Sequence, residues 1–174
     1  MANKSLDSKY PKGDKRRFFE RREKEIDWCV IYEIASSMAK LAKKFLEMEP
    51  KVKTAVYSKT IGLKPFIRYS TDFCGEKNGY KISAAAKNAL TKTGKIDWGK
   101  NGLHYAEHLI PVGQFADEIT KNPDIKNIEK MYKKQTTVIM LRKEKAEYDK
   151  EPFKSHRSQK DIDDFYRKYG VTTL

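Results

Sequence analysis

Cysteine is scarce in this chain: Cys29 and Cys74 are the only two. Neither has a Cys or His partner at ligand spacing, so no zinc knuckle or ribbon is written here. Both stand among apolar or aromatic residues, which predicts free buried thiols rather than a disulfide. No stretch approaches the roughly 18 apolar residues of a membrane span. The opening "MANKSLDSKYPKGDKRR" lacks the apolar centre of an export signal, and a cytoplasmic protein is expected. Internal repeats are absent, and 174 residues suit one domain better than two.

Positive charge is what the chain has in excess. Lys and Arg number 37 against 24 Asp and Glu, a net +13. Such an imbalance draws polyanions, of which nucleic acid is the commonest large one in a cell. Nine of the first 24 residues are Lys or Arg, with four acids among them. Residues 1–15, with Pro11 and Gly13, read as a basic flexible arm. Arg16, Arg17, Arg21 and Arg22 follow it and are candidate phosphate contacts.

Residues 16–174 read as a single α+β domain. From Arg16 the pattern turns helical, and Ile26, Val30, Ile34, Met38, Leu41, Phe45 and Met48 recur every three to four positions. That spacing predicts one long helix, stopped by Pro50, with this stripe, widened by Trp28, Ile31, Ala35 and Ala42, facing the core. Residues 52–82 are rich in β-branched and aromatic side chains and are cut by Gly62, Pro65, Gly75 and Gly79. They read as short strands with turns. Ser83 caps a short helix that ends near Gly94. A strand is expected up to Pro111, helices over 113–134 with a break at "KNPD", a buried strand over 136–142, and a helix after it. An amphipathic helix carrying Ile162, Phe165, Tyr166 and Tyr169 closes the chain.

Within this frame, "GLHYAEHLIPV" at residues 102–112 holds two of the three histidines. Glu107 and His108 stand side by side before a proline, and a buried strand gains nothing from adjacent ionisable groups. A carboxylate is a hard oxygen ligand of the kind that holds Mg²⁺. An imidazole, titrating near neutrality, can take a proton from water attacking a phosphate. At a bent strand end both groups would reach one phosphate. Pro111 lacks a backbone donor, so its strand should lie at a sheet edge or bend there. Residues 105–110 are expected to pair antiparallel with 136–142, with the following helix across both.

The run "EHLIPV" resembles the first strand of HNH (ββα-metal) endonucleases, where an acidic residue and His precede two residues and a proline. "SAAAKNAL", "TTVIMLRKEKAEYD", "HRSQ" and "FYRKYGV" extend the likeness over residues 80–171 to small prokaryotic and prophage proteins of this type. The resemblance implies a ββα motif over about 103–150 with a helical insertion at 113–135. It implies a Mg²⁺- or Mn²⁺-dependent endonuclease acting on DNA, with RNA not excluded, in which Glu107 binds the metal and His108 is the general base. HNH proteins usually carry Asn at the second strand and His or Asn early in the helix. This chain has Thr136-Thr137 there and then Lys143, Glu144, Lys145 and Glu147. Glu144 is the nearest candidate for a second metal ligand, with Glu147 behind it.

His104 would share a strand face with His108, as a structural residue or a phosphate contact. Lys154, His156 and Arg157 read as binders of the phosphate backbone. Asp72 and Asp97 read as loop residues. A PD-(D/E)xK nuclease would need Lys two places after Glu76, where Asn78 stands. The other class is a non-catalytic basic nucleic-acid-binding protein, repressor-like or a phage accessory protein. The long first helix is also a candidate homodimer face.

Overall fold

The computed structural model describes residues 27–48, 62–97, 102–150 and 156–174. The basic arm, Arg16, Arg17, Arg21, Arg22, Ile26 and Lys154 lie outside the described residues. Helix α1 (Trp28–Leu46) is capped by Asp27, whose carboxylate accepts from the backbone N–H of Cys29 and Val30. Its buried face is Tyr32, Ala35, Ser36, Ala39 and Ala42, while Val30, Ile34, Leu41 and Met48 are exposed. Met38 and Phe45 of the expected stripe, with Trp28, Ile31, Ala35 and Ala42 beside it, do pack on the core, whereas Val30, Ile34, Leu41 and Met48 do not. Small side chains on the inner face let neighbouring helices come close, and here that outweighs the size of the apolar residues opposite.

Residues 63–78 depart from the strands expected of them, forming helices α2 (Leu63–Thr71) and α3 (Cys74–Asn78). Pro65 sits in the first turn of α2, where a missing N–H breaks no helical bond. Leu63, Ile67, Ser70 and Thr71 are the buried side, at helical spacing. The Ser70 and Thr71 hydroxyls donate back to the carbonyls of Phe66 and Ile67 at 2.8 and 2.6 Å, so neither buries an unmet donor.

The remaining elements follow as expected, except for the short last strand, which the sequence did not announce. Strand β1 (Lys81–Ile82) leads to α4 (Ala84–Thr93), whose N-terminus is capped by Ser83 and whose C-terminus closes on Gly94 at φ 67°. Then come β2 (His104–His108), α5 (Val112–Lys121), α6 (Ile125–Lys134), β3 (Thr137–Leu141) and α7 (Arg142–Tyr148). Helix α8 (Gln159–Tyr169) and β4 (Thr172–Thr173) complete an α+β fold. The sheet is mixed, in the order β2-β3-β1-β4. β2 and β3 are antiparallel, β1 and β3 parallel, and β1 and β4 antiparallel. The strand before Pro111 is an edge strand, with Pro111 itself beyond its end as the N-cap of α5.

Three apolar clusters surround this sheet. α1, α2, α5 and α6 form a helical layer around Tyr32, Ile67, Phe115, Ile119, Ile128 and Tyr132. Val138 and Met140 face α7 and α8, meeting Tyr148, Phe165 and Tyr169. Ile139, from the opposite face of β3, meets Ile82, Ala86 and Ile96 on the α4 side. Gln135 ties the layers together. Its side-chain amide accepts from Ile110 N–H at 2.9 Å and donates to Ile110 C=O at 2.7 Å. A side chain therefore supplies one more rung where Pro111 ends the backbone ladder.

Candidate active site at the end of strand β2

The β2–β3 pairing runs from His104 opposite Leu141 to His108 opposite Thr137. α7 begins directly after β3 and packs across both strands. Because β2 stays regular through His108, side-chain alternation parts the two residues of interest. Glu107 lies opposite Val138 and points to the α7–α8 side; His108 lies opposite Thr137 on the other face. The expectation that both converge on one phosphate at a bent strand end is corrected accordingly.

On its own face Glu107 meets two cations. Arg157 Nη2 donates to Oε1 at 2.6 Å, and Lys145 Nζ stands 3.5 Å from Oε2. Burial pulls the Lys145 ammonium down, but its hydrogen bond to Asp149 and the charge of Glu107 outweigh that and leave its pKa above the ordinary lysine value. Arg157 is buried, with its guanidinium 4.6 Å above the Tyr148 ring. Its Nη1 donates to the carbonyls of His108 and Leu109 at 2.7 and 2.8 Å. Gln114 clasps the Arg157 backbone, donating to its C=O and accepting from its N–H. Arg157 is therefore a latch on the end of β2 rather than a phosphate contact on the surface.

His104 is likewise inside, 1% exposed. Its Nδ1 accepts from the Asp97 N–H at 3.0 Å, and its Nε2 lies 3.5 Å from the Ala86 carbonyl. The reading of His104 as a phosphate contact is replaced by a structural one. His156 is exposed. Glu144 is buried, and its Oε2 accepts from the Ser83 hydroxyl at 2.7 Å and the Leu141 N–H at 2.8 Å. It caps α7 and joins that helix to α4.

His108 has a partner that sequence spacing did not disclose. Its Nε2 is 3.1 Å from Asp72 Oδ1, at the C-terminal end of α2. The distance is that of an ion pair, but the ring N–H is not aligned for a hydrogen bond. The His108 side chain is 15% exposed and that of Asp72 26%. Across the ladder, the Thr137 hydroxyl is buried with no partner among the described residues. Asp72 had read as a loop residue because its contact is made across separate elements, without local spacing.

The donors expected to hold Mg²⁺ do not fit that ion as they stand. Both Glu107 oxygens face cations, and Glu144 Oε2 serves two protein donors. Among the described residues there is no group of three or more His, Cys, Asp or Glu placed to share a metal. No described helix is long and apolar enough to cross a membrane. Compared with known proteins, the chain matches no family model, no curated protein and no solved structure.

Proposed function

We propose that this protein is a DNA phosphodiesterase of HNH-like build, with His108 the group that takes the proton from the attacking water. The observation that supports this is the antiparallel β2–β3 pair with α7 laid across it, presenting a half-buried imidazole at the end of the edge strand. Water attacks phosphorus while His108 accepts its proton. The P–O bond opposite breaks, and the leaving oxygen is protonated from solvent. The net charge of +13 favours a polyanionic substrate, with backbone contacts that give affinity without sequence preference. The resemblance to HNH nucleases implies Mg²⁺ or Mn²⁺, but no step here runs through a metal at Glu107 and Glu144.

The test is plasmid nicking by purified wild type and His108→Ala in Mg²⁺, Mn²⁺ or EDTA, beside a gel-shift assay. His108→Ala should lose about 10²–10⁴-fold in rate, the range for a general base, and still bind DNA. Removing residues 1–15 should weaken binding and flatten its salt dependence, since Lys4, Lys9, Lys12 and Lys15 go with them.

A non-catalytic basic binder is the second reading. It is favoured by one observation: the carboxylate expected to serve catalysis is already matched by Arg157 and Lys145. DNA binding by the wild type with no cleavage in Mg²⁺ or Mn²⁺ would leave the binder standing.

A further inference from the structure

Resting on the reading of His108 as the proton acceptor, we infer that Asp72 is its positioning residue, holding the proton on Nε2 and leaving Nδ1 as the nitrogen that acts. Three observations carry this. Nε2 is shut off from solvent and lies 3.1 Å from Asp72 Oδ1, so this nitrogen cannot reach a substrate. Nδ1 makes no hydrogen bond to a described residue and is not closed off in the same way. The backbone beneath the ring is clamped on both sides. Arg157 binds the His108 and Leu109 carbonyls, and Leu109 N–H donates to Thr136 C=O at 2.9 Å.

The two ring nitrogens of a neutral imidazole have opposite roles, and the partner of one decides the role of the other. A carboxylate accepts and cannot donate, so it selects the tautomer protonated on Nε2. The imperfect alignment of the ring N–H with Asp72 suits an unloaded site, because such bonds commonly tighten only when substrate is bound. The pair is largely buried, with Nε2 closed to solvent. Its effect here lies in aiming a lone pair.

The experiment uses the full chain with ¹⁵N-labelled histidine. Two-bond ¹H–¹⁵N correlation spectra are recorded at about pH 8, where an ordinary imidazole is neutral. His108 should be held in the Nε2–H form in wild type and become a mixture of tautomers in Asp72→Ala. His104, buried against Asp97 and Ala86, serves as the internal control for an intact fold. In the nicking assay Asp72→Asn should lower kcat by about 10–10²-fold, less than loss of the base itself. DNA binding should stay unchanged, and Asp72→Glu should recover part of the rate. An Nδ1–H tautomer in wild type, or the same tautomer mixture with and without Asp72, would overturn the inference. So would wild-type kcat in Asp72→Asn. Wild-type cleavage by His108→Ala would instead defeat the role of His108 as proton acceptor, and the spectra would still decide the pairing.

Discussion

Arg157 meets Glu107 across 50 residues of sequence, and with 1% of its side chain exposed it has that carboxylate as its ionic partner. The guanidinium also holds two backbone carbonyls of the β2 end, so one residue fastens the start of α8 to the edge of the sheet.

Replacing Glu107 by Gln keeps the shape and removes the charge, leaving Arg157 buried without its counterion. Breaking a buried pair from one side costs on the order of 3 kcal/mol. Urea unfolding should show that loss, and added Mg²⁺ should not restore it. Arg157→Met in the same background should add much less than it does alone, because the two residues act as one unit. Additive losses would show that the pair is not coupled.

Glu144 makes a separate prediction. Glu144→Ala strands the Ser83 hydroxyl and the Leu141 N–H, and should lower stability by about 1–3 kcal/mol with no cation present. Ser83→Ala should reproduce part of the loss, and the double variant should fall short of the sum. A stability unchanged in Glu144→Ala, with only metal-dependent cleavage affected, would return Glu144 to the role of ligand.

The two thiols should differ sharply. Cys29 is exposed, contrary to the expectation of two buried thiols, whereas Cys74 is fully buried. Burial pushes the Cys74 thiol up to about 12 from an ordinary 9.0. Brief alkylation at pH 8 followed by mass spectrometry should mark Cys29 and leave Cys74 until the protein is unfolded. A folded pKa above the unfolded one means the unfolded chain releases its proton first. The stability contributed by keeping Cys74 protonated is therefore full below about pH 9 and is lost between there and about 12. Cys74→Ala should flatten the alkaline fall in stability. Equal labelling of both residues would contradict the burial.

Much of the frame was legible because its signals are local. Ser83 and Gly94 bracket α4, "KNPD" parts α5 from α6, and Thr137–Leu141 is the apolar strand its β-branched run announces. Pro111 marked the passage from β2 to α5. Residues 63–78 were misread because β-branched and aromatic content was weighed above period. Leu63, Ile67, Ser70 and Thr71 repeat with a helix, and Pro65 fell where a helix tolerates it. The inner face of α1 was legible in part: Ala35, Ala42, Met38 and Phe45 lie on it, while Val30, Ile34 and Leu41, weighted by size, turn out to be exposed. The site was legible as a location and not as a set of contacts. Which side chain meets Glu107 or His108 depends on α2, α7 and residue 157 being folded into place, and none of those distances is encoded in spacing.

The helical excursion between β2 and β3 also bears on how the chain assembles. No tight turn joins these strands; α5 and α6 intervene, and both belong to the layer built on α1 and α2. The two strands therefore cannot form first as an isolated hairpin, and the ladder that presents His108 must wait until its connection has docked elsewhere. Pairings closed over long loops form late and raise the contact order of the fold. Refolding of this protein should reach its helical signal before the region around Glu107, His108 and Arg157 is in place.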